Sequence, residues 1–313
     1  MKLELVLIPS ASHGHLPPLV ELTKLLVDGH DDLSITVIVI PPRQELRTPS
    51  LSSYISSLST MPRDRIRFIF LSDADRLNSP NTEPDFRSYS ESYKPAVKAT
   101  VAKLNDPARP DLSKLVGFVV DMFCTQMIDV ANEFNVPSYL FYPSSAAFLG
   151  LQVHMQYLCD VEKYDVGELR DSDAELEVPF LTRSLPAKCV PSVMLNKEWL
   201  SVVLSHARRF QETKEQQLNA FEMVEEMGLA VEIRNHFQGE YMAAAETNRE
   251  LITAEEIERR IGCLMKQDSD VRDRVKKMSE KSHVAVMDGG SSHHALVRFI
   301  QDVTDNISSE SCG

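Results

Sequence analysis

Residues 3–21 read LELVLIPSASHGHLPPLVE, and the order of residue types within them decides the fold. The apolar run 5–8 stops at Pro9, and a short Ser/Ala/His/Gly segment follows. Pro17 and Pro18 then stand where a helix begins, ahead of Leu19, Leu22 and Leu26 at one-face helical spacing. This predicts a strand, a tight loop and a helix. A loop at the carboxyl end of a parallel strand is where open α/β folds place their chemistry, and this one carries His13 and His15. A His-x-His pair without further ligands is a weak metal signal, so His13 reads as loop and His15 as the residue to explain.

The same pattern repeats downstream. Residues 35–40 form a continuous β-branched run ended by Pro41 and Pro42, which reads as a strand buried on both faces. Further strands are predicted at 66–71, at 115–120 with Asp121 at its end, and at 138–142. Helices are predicted near 48–60, 89–104 and 125–134. Strands alternating with helices predict a doubly wound parallel α/β sheet. His15 then lies beyond the carboxyl end of the first strand and Asp121 at that of the fourth, on one edge of the sheet.

Past residue 146 the order is a helix, an acidic loop over 165–179, a Pro-containing stretch over 185–191 and a helix over 198–211. Beyond Lys214 the texture becomes mostly helical. Leu218, Phe221 and Val224 make one stripe, 229–233 reads as a short strand, and Thr253 with Glu256 forms a capping box. A helix follows with Val271, Val275 and Met278, and a last one buries Leu296, Phe299, Ile300 and Val303.

The chain has 313 residues, 43% of them hydrophobic, enough for one large or two ordinary domains. Its 33 Lys and Arg against 46 Asp and Glu give a net charge of -13, which repels nucleic acid and anionic membranes. The expected partner is a small molecule or a protein. Five scattered cysteines without a Cys-x-x-Cys pair favour a reducing compartment, and no apolar run reaches the roughly 20 residues of a membrane span. The opening run is too short for a signal sequence, so the expectation is a soluble, cytoplasmic protein with no metal. There is no Gly-x-Ser-x-Gly elbow, Gly-x-Gly-x-x-Gly fingerprint or P-loop, which leaves an α/β hydrolase, a dehydrogenase and an NTPase without support.

At His15 and Asp121 the sequence resembles the plant family-1 UDP-sugar-dependent glycosyltransferases. The text that carries the resemblance is PSASHGHLPPLVELTKLL, then FVVDMFCTQMIDVANEFNVPSYLFYPSSA over 118–146, then EQQLNAFEMVEEMGLAVEIR and AVMDGGSS. It implies a GT-B enzyme, here with an acceptor-binding Rossmann-like domain over 1–213. An incomplete, mostly helical remnant of the donor-binding Rossmann-like domain would follow over 214–307, and a tail over 308–313. The resemblance also implies that His15 is the general base that deprotonates an acceptor hydroxyl and that Asp121 holds the imidazole. The oxygen then attacks the sugar C1 with inversion and expels UDP. The chemistry suits the residues: a neutral imidazole is a base near ambient pH, a carboxylate sets its tautomer, and a helix N-terminus keeps it unprotonated. Asp121 could also cap the next helix.

The second half departs from the family. Members carry a donor box that opens with a Trp stacking on uracil, continues through a His-Cys-Gly-Trp-Asn-Ser segment on the diphosphate, and ends in an acidic residue and Gln on the sugar. Here only that ending remains, as Glu215 and Gln216 directly after Lys214, and the one tryptophan is Trp199. Ser144 and Ser145 align near the sugar-facing loop but could equally cap a helix. Thr125, in a further donor-contact position, follows Cys124 where relatives commonly have Gly, and Gln126 stands where many have Asp.

Losing three or four hydrogen bonds to a diphosphate removes roughly 5 to 12 kcal/mol, against about 8 kcal/mol for the whole of a micromolar affinity. The expectation is sugar transfer, of glucose in the first instance, to a hydroxyl of a lipophilic phenolic or flavonoid-like acceptor, with UDP-sugar as co-substrate and no cofactor. The isolated chain is expected to turn over little or nothing. The alternative is a non-catalytic truncated form that binds acceptor or pairs with a full-length partner through exposed apolar surface.

Overall fold

The computed structural model describes residues 2–61, 64–77, 86–106, 113–170, 172–179, 181, 184–214, 217–219 and most of 276–309. Strands β1 (Leu3–Ile8), β2 (Leu33–Val39), β3 (Ile66–Phe70), β4 (Lys114–Asp121) and β5 (Ser138–Tyr142) fall where the apolar runs predict them, within two residues. The short strands β6 (Glu175–Leu176) and β7 (Leu185–Pro186) pair antiparallel with each other. Strand β8 (Gln217–Asn219) pairs in parallel with β5, Leu140 opposite Gln217. The main sheet has six strands among the described residues, all parallel, in the order β3-β2-β1-β4-β5-β8.

Alternation explains why β1 is apolar throughout. Leu5 and Leu7 point into one core with Ile35, Val37 and Val119, while Val6 and Ile8 point into another with Ile38, Phe118 and Val120. Both faces are covered, so neither set of side chains can be polar. On the first face lie α1 (Leu16–Gly29), α2 (Pro49–Leu58) and α9 (Ser291–Ser309), through Leu19 and Leu26, Leu51 and Leu58, and Phe299 and Val303. On the second lie α3 (Phe86–Glu91), α4 (Lys94–Leu104) and α5 (Ile128–Glu133), through Tyr89, Val97, Val101 and Ile128. The helix predicted over 89–104 is thus two helices, and α4 opens with a proline in its first turn. The helix predicted over 125–134 begins as a 3-10 turn, Thr125–Met127, before α5.

The last helix packs on the first sheet as its stripe predicts. Phe299 meets Tyr139 edge to face at 4.9 Å between ring centroids, and Asp302 accepts from Tyr139 Oη and Lys214 Nζ, each at 2.8 Å. Gly117 in β4 is needed for close approach: a Cβ there would lie 3.1 Å from the Pro137 carbonyl and from the Tyr139 ring.

Contacts group the chain differently from a single cut at 213. One compact unit is Met1–Pro143, Ser205–Asn219 and Ala295–Gly313; the other is Ser144–Leu204 and Ala220–His294. The second unit contains α6 (Ala146–Asp160), α7 (Ser192–Leu195) and most of α8 (Lys197–Phe210), around Leu151, Met155, Leu169, Met194 and Leu204. The helical stripe expected through Leu218 instead begins as β8. The strand at 229–233 and the helices at 253–264 and 271–278 lie outside the described residues or only touch them. No described helix is long and apolar enough to cross a membrane.

Candidate functional site

The strand order reverses between β1 and β4, because β2 and β3 lie to one side of β1 and β4 and β5 to the other. Such a switch point opens a crevice at the carboxyl ends of the two strands, and both named residues sit there. After Ile8 the loop tightens through Ser12 N to Ser10 O at 2.9 Å and Leu16 N to Ser12 O at 3.0 Å. That turn delivers His15 as the N-cap residue of α1, with a proline in the first helical turn. Asp121 ends β4, and its Oδ1 accepts from Phe123 N at 2.9 Å.

The other carboxylate oxygen meets the imidazole: His15 Nδ1 donates to Asp121 Oδ2 at 2.7 Å. Asp121 is fully buried and the His15 side chain is 16% exposed. A carboxylate only accepts, so Nδ1 carries the hydrogen and Nε2 keeps its lone pair in the neutral ring. That is the tautomer a general base needs. Burial lowers the His15 pKa, and the Asp121 charge and hydrogen bond together outweigh it, so the net direction is upward. The carboxylate at 2.7 Å thus acts on the ring in the opposite direction to the helix N-terminus. The sign for stability follows. The pair's contribution is full below the unfolded value of 6.5 and is lost as pH rises through the higher folded value.

Aromatic packing fixes the ring. Phe123 lies 5.2 Å from the His15 ring, and His206, fully buried on α8, meets Phe123 edge-on at 5.8 Å. His206 Nδ1 is 2.8 Å from Thr125 Oγ1. Thr125 is fully buried, so its hydroxyl is committed to His206 and closed to a donor sugar in this structure. Ser145 caps α6, accepting from Phe148 N at 3.0 Å, and with Ser144 belongs to the second unit. Glu215 and Gln216 lie outside the described residues. Burial and the Asp121 charge hold the Cys124 thiol well above its usual pKa, which makes it a poor nucleophile. His13 Nε2 is 3.0 Å from Ser50 Oγ and 3.1 Å from Thr48 Oγ1, as a loop residue. Among the described residues no group of three or more His, Cys, Asp or Glu is placed to hold a metal ion.

Beside the dyad is a small cleft of about 40 Å³, lined by Pro9, Ser10, Ile40, Tyr89, Phe123 and Arg43 among others. Phe123 is shared: it touches the His15 ring on one side and the cleft on the other. Sequence reading missed Phe123, His206 and Arg43. His206 is 81 residues from Thr125, so no local pattern marks it. Phe123 alone had a signal, its place two residues after Asp121. The arrangement can take a proton from a hydroxyl presented near His15.

No protein-family model matches the chain. Among curated proteins it is 41% identical to UDP-glycosyltransferase 71B2 of Arabidopsis thaliana over 488 residues, covering 98% of this chain and 100% of that one. It is 34% identical to UDP-glycosyltransferase 71B6 of the same plant, again over 98% of both. With anthocyanidin 3-O-glucosyltransferase 1 of Manihot esculenta it shares 41% identity over 66% of this chain and 45% of that one. A match of 488 residues to a chain of 313 leaves more than a third of the aligned positions without a counterpart here, and that shortfall lies inside the match. Among solved structures, Medicago truncatula UGT71G1 complexed with UDP-glucose matches at TM-score 0.76 over 97% of this chain and 98% of that one. At 21% identity that is a likeness of fold. A glycosyltransferase from Siraitia grosvenorii in complex with UDP is 36% identical, with TM-score 0.53 over 70% of this chain and 41% of that one.

Proposed function

The chain belongs to the plant UDP-glycosyltransferases, and from that premise we propose that it is the acceptor-binding, base-carrying half of such an enzyme. The observation that carries the reading is the His15 Nδ1 to Asp121 Oδ2 hydrogen bond of 2.7 Å at the switch point of the sheet. His15 Nε2 takes the proton of an acceptor hydroxyl, Asp121 stabilises the imidazolium, and the freed oxygen attacks the anomeric carbon of a UDP-bound sugar from the face opposite UDP. Inversion follows from that single displacement. The acceptor class is a lipophilic phenolic, glucose is the sugar transferred, and no metal takes part.

Residues 214–307 stand in this proposal as the remnant of a donor domain, with 308–313 as a tail. Glu215 and Gln216 have lost the partners that would make them a sugar clamp, and Ser145 serves as the cap of α6. The isolated chain therefore binds acceptor but transfers sugar poorly, because several charge-assisted hydrogen bonds to a diphosphate decide whether UDP-sugar binds at all. Incubation with UDP-glucose and a panel of flavonols, with UDP release as the readout, tests this. The expected result is release at the level of a chain-free control; turnover that disappears in His15→Ala would overturn the inactive part of the reading and keep the base assignment.

A further inference from the structure

The cleft next to the dyad carries one charge. Among the described lining residues every side chain is apolar or neutral except Arg43, which is 14% exposed and lies with its guanidinium 5.5 Å from the centre of the Tyr89 ring. This cation–π contact leaves the N–H groups of the guanidinium, which match a planar anion, to be satisfied elsewhere. Those donors now face a carboxylate two residues along: Arg43 Nη2 donates to Glu45 Oε1 at 2.8 Å and Arg43 Nε to Glu45 Oε2 at 3.3 Å. Glu45 is 59% exposed, and Arg43 draws its pKa below the usual carboxylate range.

The two ends of this ion pair are unequal. Arg43 is fixed by Tyr89 in the cleft wall, and Tyr89 is itself anchored by Oη donating to the Pro41 carbonyl at 3.1 Å. Glu45 sits in a 3-10 turn, Gln44–Leu46, with most of its side chain in water. An exposed carboxylate on a short tether gains little from such a pair and is readily exchanged for another. The neighbouring arginine shows the contrast: Arg47 gives both bonds of one nitrogen to Asp73, at 2.9 Å each, and does not line the cleft.

We propose that Arg43 is a specificity-determining residue that binds the carboxylate of an acidic, aromatic acceptor, with Glu45 holding the position until the acceptor displaces it. The inference rests on the reading of this sheet edge as the acceptor side and adds the acceptor's chemical class. The carboxylate is the anchor and not the group glycosylated. The small cleft would receive only the carboxylate end of the acceptor, and Pro9, Ile40 and Phe123 in its wall offer apolar surface to the adjoining ring.

Calorimetry on the full chain with 4-hydroxycinnamate and with its neutral carboxamide separates the possibilities without any turnover. The acid is expected to bind about tenfold tighter than the amide. Arg43→Met should abolish that preference, bringing acid and amide to similar affinities, and a urea-unfolding midpoint near that of the wild type shows that the variant folds. Glu45→Gln, by removing the competitor, should tighten the acid several-fold and not the amide. Equal affinity for acid and amide, or a preference that survives Arg43→Met, overturns the role of Arg43 and leaves the acceptor-side reading standing. Binding of neither probe overturns this inference, and only the failure of a flavonol to bind as well overturns the acceptor-side reading with it.

Discussion

The two ends of the central strands each bury a carboxylate, and the two are solved differently. At the amino end, Glu4 is 4% exposed; its oxygens accept from Thr36 Oγ1 at 2.5 Å and from Ser113 Oγ at 3.1 Å. At the carboxyl end, Asp121 accepts from a backbone amide and from the His15 ring. Hydroxyls satisfy a carboxylate but do not titrate near neutral pH, so the Glu4 end is a structural plug. An imidazole both satisfies its carboxylate and can change charge, so the Asp121 end is poised for proton transfer. Burial of an acid therefore does not mark a site by itself; the titratable partner does.

The largest effect that would break this comparison is on chemistry. In a chain with the donor segment of UDP-glycosyltransferase 71B2 inserted between Lys214 and Glu215, His15→Ala is expected to lower turnover about 10²- to 10⁴-fold. Initial rates of UDP release measure it, and Glu4→Gln should leave them unchanged. Next in size is stability at the amino end. Glu4→Ala strands two buried hydroxyls and opens a cavity, and should cost about 2–4 kcal/mol in urea unfolding with acceptor binding intact. A loss of binding equal to that of a dyad variant would erase the distinction between the two ends.

A smaller effect separates the dyad from its scaffold. Thr125→Val removes the hydroxyl that meets His206 and should cost about 1–2 kcal/mol of stability without changing acceptor affinity. Subtler still is the ring's own titration, followed by NMR. Wild-type His15 should titrate above 6.5, and Asp121→Asn should bring it below, because burial is then the main remaining influence.

Much of the first unit was legible because two covered faces leave a parallel strand no choice but continuous apolar sequence. The runs that became β2 and β4 end where Pro41 and Asp121 stand, and a histidine just past the first such run could be placed on their edge by topology alone. Glu4 was illegible for the opposite reason. A glutamate before an apolar run looks like a strand's solvent end, and nothing local announces that Thr36 and Ser113 will meet it. The Thr125–His206 and Arg43–Tyr89 contacts are long-range in the same way. At Leu218 local and tertiary preferences disagree: its spacing to Phe221 and Val224 is helical, yet the open edge of β5 takes Gln217–Asn219 as a strand.

The central claim, an intact acceptor half without a working donor site, is tested most directly by titrating the purified chain separately with a flavonol and with UDP in a calorimeter. The account predicts saturable flavonol binding and no measurable heat from UDP at millimolar concentration. Micromolar UDP binding, or the absence of flavonol binding, would contradict it.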